Sequence, residues 1–176
     1  PMIALMTKAI SFHTAHWDVS LFDGILGWDI LSRLDFELDV VGHQFKVLKN
    51  RYRFLHPNMV QAVFPLFLVQ DGKGNLLTMG FDSGARLSWV NKGRMQEFGY
   101  SLSGEKAALG FGVHGLEEMH VATLSDLRLY LYKADIRMRN VHTGRTDIFP
   151  HGCLDGILGN EIFRNRRIRL IPSMEM

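Results

Sequence analysis

Two stretches of this chain, FDGILGWDILSRLDFELD at 22–39 and LDGILGNEIFRNRRIRLI at 154–171, align without a gap. Asp23, Gly24, Ile25, Leu26 and Gly27 recur as Asp155, Gly156, Ile157, Leu158 and Gly159, and Ile30 and Leu38 recur as Ile162 and Leu170; the step from Asp23 to Asp155 is 132 residues. Five consecutive identities, followed by shared acidic and apolar positions, are what duplication of one structural unit leaves behind. The chain is therefore expected to carry the end of the same unit twice. In each copy a glycine leads into a short helical candidate, WDILSRLD at 28–35 and NEIFRNR at 160–166, and NKGRMQEFGY at 91–100 has room for one or two further turns.

The remainder reads as β structure. Short runs rich in Val, Ile, Leu, Phe and Tyr alternate with Gly, Asn and Asp punctuation, and long helical periods are scarce. In PLFLVQDGKGNLLTMGF at 65–81, two apolar runs flank Asp71-Gly72-Lys73-Gly74-Asn75, whose glycines can take the positive φ of a tight reversal. This predicts a β-hairpin that delivers its second strand directly into Asp82. LRLYLYKADIRMRNV at 127–141 alternates large apolar with polar residues, as a half-buried strand or strand pair does.

Bulk properties narrow the classes. With 176 residues and 47% hydrophobic content the chain can bury one substantial core or two small lobes. Apolar runs such as VFPLFLV at 63–69 fall short of the roughly 20 residues of a membrane helix, so no span is expected. The net charge is +2, and the one dense basic run, RNRRIRL at 164–170, interleaves its charges with Ile168 and Leu170. It reads as a strand with a solvated face; lacking an aromatic platform, it gives no reason to expect a nucleic-acid partner. The single cysteine, Cys153, cannot form an internal disulfide, and no basic-then-apolar leader begins the chain, both of which favour the cytoplasm.

The chemistry concentrates at Asp82-Ser83-Gly84-Ala85. A carboxylate on a Ser-Gly turn after an apolar strand is suited to holding a catalytic acid at a buried surface, where glycine permits close backbone approach and the hydroxyl orients its neighbours. Two such carboxylates brought together share a proton, because both cannot readily ionise. One then takes a proton from an attacking water while the other polarises a peptide carbonyl. A lone carboxylate cannot perform both steps.

An apolar strand, Asp-Ser-Gly-Ala, and then, 73 residues after Asp82, Asp155-Gly-Ile-Leu-Gly with a short helix and a strand: this arrangement resembles the retropepsin and pepsin families of aspartic proteases. The resemblance implies an all-β acid-protease fold, with one complete lobe and the C-terminal part of a second. By matching positions it implies that Asp82 is the catalytic aspartate, Ser83 the hydroxyl bracing paired loops, Gly84 the residue permitting the turn, and Ile157-Leu158-Gly159 the supporting segment. A flap hairpin over substrate is implied within GFGVHGLEEMH at 110–120, with Gly112, His114 and Gly115, together with Ala85, as substrate-facing candidates. Two departures stand out: no tyrosine matches the pepsin flap tyrosine, and Arg86 replaces the small or acidic residue usual after the motif in retroviral enzymes.

The implied activity is that of an endopeptidase without metal or other cofactor, acting on a peptide or protein substrate. Its second aspartate is not evident here. Applied to Asp23, the 73-residue spacing places the first unit's own motif about fifty residues ahead of Pro1. Asp29 follows Gly27 in a helical candidate and does not substitute for it. Three readings follow: a second lobe upstream in the same gene product, a homodimer apposing two Asp82 residues, or a catalytically inactive peptide- or protein-binding module. The implied organisation is residues 1–50 as the end of a first lobe, 51–59 as connector, with Pro57 disfavouring helix at His56, and 60–176 as the complete lobe.

Other residues carry weaker signals. His13 and His16, and His114 and His120 with Glu117 and Glu118 between, match no metal-ligand spacing such as HExxH, and no metal site is expected. Cys153 and His151 stand two apart with no third group, so a structural thiol is the better reading. Asp-Ser-Gly alone is a common turn tripeptide; its position after an apolar strand, together with the repeated Asp-Gly-Ile-Leu-Gly, distinguishes it here.

Overall fold

The turn at residues 71–75 sets the first long hairpin. A computed structural model describes residues 11–13, 18–20, 26–49, 57–62, 64–112, 115–144 and 154–174. In chain order the elements are β1 (Ser11–His13), β2 (Asp18–Ser20), α1 (Trp28–Leu31), β3 (Phe36–Asp39), β4 (Gln44–Val47), β5 (Met59–Gln61), β6 (Pro65–Asp71), β7 (Leu76–Phe81), β8 (Trp89–Asn91), α2 (Lys92–Glu97), β9 (Lys106–Gly112), β10 (Gly115–Leu131), β11 (Ala134–Gly144), β12 (Gly156–Leu158) and β13 (Arg167–Leu170). Single 3₁₀ turns cover Asn160–Phe163 and Pro172–Met174. The molecule is thus mostly β, and no helix among the described residues is long and apolar enough to cross a membrane.

β6, β7, β12, β8, β11 and β10 pair in that order, and β10 returns to β6 through Leu129 opposite Asp71 and Tyr130 opposite Gln70. Six strands therefore close into a barrel, with β5 and β9 attached outside it. Closure removes the open edges that a sheet of this kind would otherwise present. Val69, Leu77, Met79, Val90, Met95, Leu127, Leu129 and Leu158 fill the interior and are almost wholly inaccessible. Burying each side chain of this size contributes about 1.5–3 kcal/mol before the cost of ordering the chain.

Strands β10 and β11 form a long ribbon that departs from simple alternation. The inward residues are Ala122 and Leu124, then Leu127 and Leu129 on β10; on β11 they are Ile136 and Met138, then Val141 and Thr143. Both strands change phase at one level, between the facing pairs Leu124–Val141 and Leu127–Met138. Asn140, with φ of 54°, absorbs the shift on β11. A slip in one strand alone would turn its apolar set outward, whereas a matched slip keeps both sets on the core.

Outside the barrel, β13, β3 and β4 form a three-stranded sheet. The basic run at 164–170 contributes β13, where Arg167 and Arg169 reach Asp39 and Glu37 across the pairing at 2.8 and 2.5 Å. The backbone N–H of Gly42, together with Arg167, holds the Asp39 carboxyl below its usual range against the opposing effect of desolvation. The register of β3 against β13 centres on Glu37 opposite Arg169, two residues separated by the same 132 positions as the repeated motifs. Phe36 opposite Leu170 and Leu38 opposite Ile168 exchange under that shift. α1 at 28–31 and the 3₁₀ turn at 160–163 also stand 132 residues apart.

Several local expectations need adjustment. The helix expected over 28–35 closes after Leu31, and Gly27 supplies no side-chain cap. The segment at 160–166 forms one 3₁₀ turn, Asn160–Phe163, before β13 begins at Arg167, and Asn160 N–H donates to Ala85 O at 2.7 Å. At 91–100 the helix occupies Lys92–Glu97, capped by Asn91 Oδ1 accepting from Arg94 N–H. Residues 51–56 of the connector, like Cys153, His151, His16 and the Asp23–Ile25 half of the repeat, lie outside the described residues.

The hairpin turn itself is built around a buried carboxylate. Asp71 Oδ1 accepts from the backbone N–H of Lys73 and Asn75, each at 2.8 Å, while Oδ2 accepts from Asn75 Nδ2 at 2.8 Å and Tyr100 Oη at 2.9 Å. Gly74 takes φ of 90° to complete the reversal. Lys73 Nζ then donates to the carbonyls of Phe98 and Gly99, fastening the turn to the end of α2. Burial pushes the Asp71 carboxyl up, but the four donors together outweigh it and hold it below the ordinary range. Its stabilisation is therefore complete above the unfolded-state pKa of about 3.9 and is lost as pH falls through the lower folded value. Asp71→Asn should lower the urea-unfolding free energy by about 1.5–3 kcal/mol at pH 7. The difference between wild type and variant should shrink when unfolding is repeated below about pH 4.

Candidate functional site

β7 ends at Phe81 and releases the chain into Asp82, as the hairpin pattern predicts. What holds that exit is β12, which runs parallel to β7 with Gly156, Ile157 and Leu158 opposite Met79, Gly80 and Phe81. Asp82 N–H continues the ladder by donating to Leu158 O at 3.1 Å. The motif and the segment 73 residues later are thus brought side by side, with Ile157, Leu158 and Gly159 flanking the Asp82 loop.

Within the loop, Asp82 Oδ1 accepts from Gly84 N–H at 2.8 Å and Ala85 N–H at 3.2 Å. Ala85 N–H also lies 3.2 Å from Asp82 O. The carboxylate therefore folds its own turn, a local alternative to strand pairing that Asp can adopt. This fixes the direction of the side chain while Asp82, Ser83 and Gly84 remain exposed. Among the described residues, no hydrogen bond occupies Asp82 Oδ2. One oxygen is committed to the loop, and the other can act on an outside group.

The glycine at 159 has a demonstrable steric function. A Cβ there would lie 2.6–2.8 Å from the backbone C and O of Leu87 and the backbone O of Ala85. At Gly156 a Cβ would meet Trp89 O at 2.5 Å. Both glycines permit the close approach of the 155–159 segment to the Asp82–Trp89 segment. Asn160 adds two ties: its N–H donates to Ala85 O at 2.7 Å, and Nδ2 reaches Ser83 O at 3.5 Å.

Several supporting residues escaped the sequence reading. Ser88 is buried; its Oγ accepts from Gly159 N–H at 3.0 Å, and its N–H donates to Glu161 Oε1 at 2.6 Å. Asp155 accepts from Thr78 N–H and Arg94 Nε, both at 2.8 Å, linking the repeated motif to β7 and α2. Asp155 and Glu97 both support the charged state of Arg94, raising its pKa. The signal available for Glu161 was the acidic position it shares with Asp29 at the 132-residue offset. Ser88 and Arg94 offered none, since their partners are brought in only by the tertiary pairing of β8 with β12.

The expected flap region forms a hairpin. β9 pairs with β10 from Lys106–Val121 up to Gly112–Gly115, and β9 has no second strand partner among the described residues. Gly112 and Gly115 close the arm, while His114 lies outside the described residues. From Ala122 onward β10 pairs with β11, so the arm extends from the barrel wall. Arg86 is exposed beside the Asp82 turn.

No protein-family model matches the chain, and comparison with curated proteins finds no match. The fit around Gly159 provides a direct test of the site's construction. Gly159→Ala should lower stability by about 1–3 kcal/mol and shift the amide resonances of residues 82–88, as forced overpacking requires. Gly104→Ala, which has nothing within 4 Å of the added Cβ, should change urea stability by no more than about 0.5 kcal/mol or raise it slightly.

Proposed function

We propose that the protein contributes Asp82 to the two-carboxylate centre of an aspartic endopeptidase of the pepsin or retropepsin type. The observation that carries this reading is the placement of an exposed aspartate on a self-stabilised turn, at the end of a strand buttressed by a parallel Ile-Leu-Gly segment. A carboxylate held in a fixed direction, with one oxygen uncommitted, suits general acid–base work on a water molecule. Ser83 stands beside it, exposed, where a facing loop could engage its hydroxyl.

Catalysis requires a second carboxylate within reach of the same water. One member of the pair takes the water's proton while its partner, protonated, polarises the substrate carbonyl; proton sharing keeps these roles matched. The pairing of β3 with β13 bears on where that partner originates. Its register is centred on residues related by the 132-residue shift, as two copies of one unit would be when packed about a local two-fold axis. β3 already occupies that edge of β13, where a second molecule would have to add in a symmetric dimer built through this strand. This favours a second lobe encoded N-terminal to Asp23 over a homodimer, with the β9–β10 arm as the flap over a peptide substrate.

A fluorogenic peptide library assayed across pH 3–8 tests the proposal, using this chain and the full-length gene product. The full-length protein should cleave with a bell-shaped pH profile, as two coupled carboxylates require. Asp82→Asn should reduce turnover by at least about a thousandfold, the loss expected when a proton-transfer group of this importance is removed. Cleavage indifferent to Asp82→Asn would overturn the role given to Asp82, and no cleavage by either form would instead support a noncatalytic peptide- or protein-binding module. Turnover by the 176-residue chain would show that copies of it assemble the dyad themselves.

A further inference from the structure

A cleft of about 600 Å³ lies between the β13–β3 strands, the β10–β11 turn and the ends of β7 and β12. Met59, Phe67, Phe81, Ile136, Ile162 and Phe163 give it an apolar wall, and its lining includes none of Asp82–Ala85. Its charged residues are one-sided: Lys133, Arg166, Arg167 and Arg169 against Glu37. Arg167 and Arg169 are engaged with the carboxylates of Asp39 and Glu37. Among the described residues the other two donate no hydrogen bond to a carboxylate: Arg166 Nη2 donates to the carbonyl of Asp135 at 3.2 Å and its charge also favours the ionised Asp135 carboxyl, which Arg128 engages, while Lys133 Nζ lies 5.6 Å from the Tyr132 ring centre.

We propose that this cleft binds a single-chain amphiphile with an anionic head, of the fatty-acyl carboxylate class. The volume is in the range of small-molecule sites, which combine an apolar lining with a few polar groups that orient the ligand. An alkyl chain replaces water against the phenylalanine and isoleucine side chains, where water has few hydrogen-bonding partners. The carboxylate fits the fork of the Arg166 guanidinium, which retains N–H donors beyond the one given to Asp135, and Lys133 adds positive charge at the same cleft. A cationic amphiphile with the same tail would face Lys133 and Arg166, while Glu37, the one acidic lining residue, is engaged by Arg169.

The site is independent of the protease reading but adjoins the Asp82 loop. Phe81 precedes Asp82, and Leu158, another lining residue, accepts the Asp82 N–H. An occupant therefore contacts the two strand ends from which the loop is suspended.

Calorimetric titration with dodecanoate below its micelle concentration tests the assignment, with dodecyltrimethylammonium as comparator. One dodecanoate should bind per chain, the cationic analogue should give no saturable binding, and the Asp82 amide resonance should shift with dodecanoate. Reversing the head contacts with Arg166→Glu and Lys133→Glu together should weaken binding at least tenfold, and Ala134→Trp, filling the cleft, should abolish it. Circular dichroism checks that each variant folds; should Ala134→Trp fail to fold, the surface charge reversal decides alone. Absence of saturable dodecanoate binding, equal binding of the cationic analogue, or unchanged affinity after charge reversal would overturn the proposal.

Discussion

Everything at the Asp82 site depends on the parallel contact between β7 and β12. The two strands are distant in sequence, and no short turn can join parallel neighbours, so their pairing must be specified by packing. Gly156 and Gly159 let β12 sit there by lacking a Cβ where the backbone of Ala85, Leu87 and Trp89, on the side away from β7, passes within 3 Å of its position. Once the segment is seated, Leu158 O receives Asp82 N–H, Ser88 Oγ receives Gly159 N–H and Asn160 N–H reaches Ala85 O. The loop is thus fixed from both sides, by backbone groups and by the Ser88 and Asp82 side chains.

The acidic residues divide by environment in a way that separates construction from chemistry. Asp71 is buried and saturated by four donors from a turn and Tyr100. Asp155 is committed to Thr78 and Arg94, and Glu161 to Ser88. Asp39 and Glu37 meet arginines across a strand pair. Such groups are satisfied as structural anchors, and removing one leaves its donors without a partner. Asp82 differs: its own loop amides take one oxygen, and its surface is exposed. That contrast supports the proposed catalytic assignment more than the presence of an Asp-Ser-Gly tripeptide does.

Legibility in the sequence followed the range of the interactions. The β6–β7 hairpin was readable because Asp71, Gly74 and Asn75 make their turn locally, and the strand pair over 127–141 because most of its positions alternate. The phase change at Asn140 was not, since it depends on a matched shift in β10. The helices expected at 28–35 and 160–166 are shorter in the structure, because apolar spacing carries no information on where the chain turns back into β3 and β13. Barrel closure, the buried Ser88 and the Arg94–Asp155 pair likewise arise from contacts between distant segments. The repeat at 132 residues exposed one long-range relation, because the β3–β13 register carries the same offset.

In the proposed function, Asp82 faces one other carboxylate within a single two-lobed polypeptide. The most direct measurement is calorimetric binding of a peptide analogue bearing a tetrahedral hydroxyl in place of the scissile carbonyl, with the full-length gene product. Such analogues gain their affinity from groups that contact the reacting centre, commonly by factors of about 10²–10⁸ over substrate. One analogue should bind per polypeptide, and binding should weaken at least about a hundredfold after Asp82→Asn. Binding of one analogue per two polypeptides, or affinity unchanged by the substitution, would contradict it.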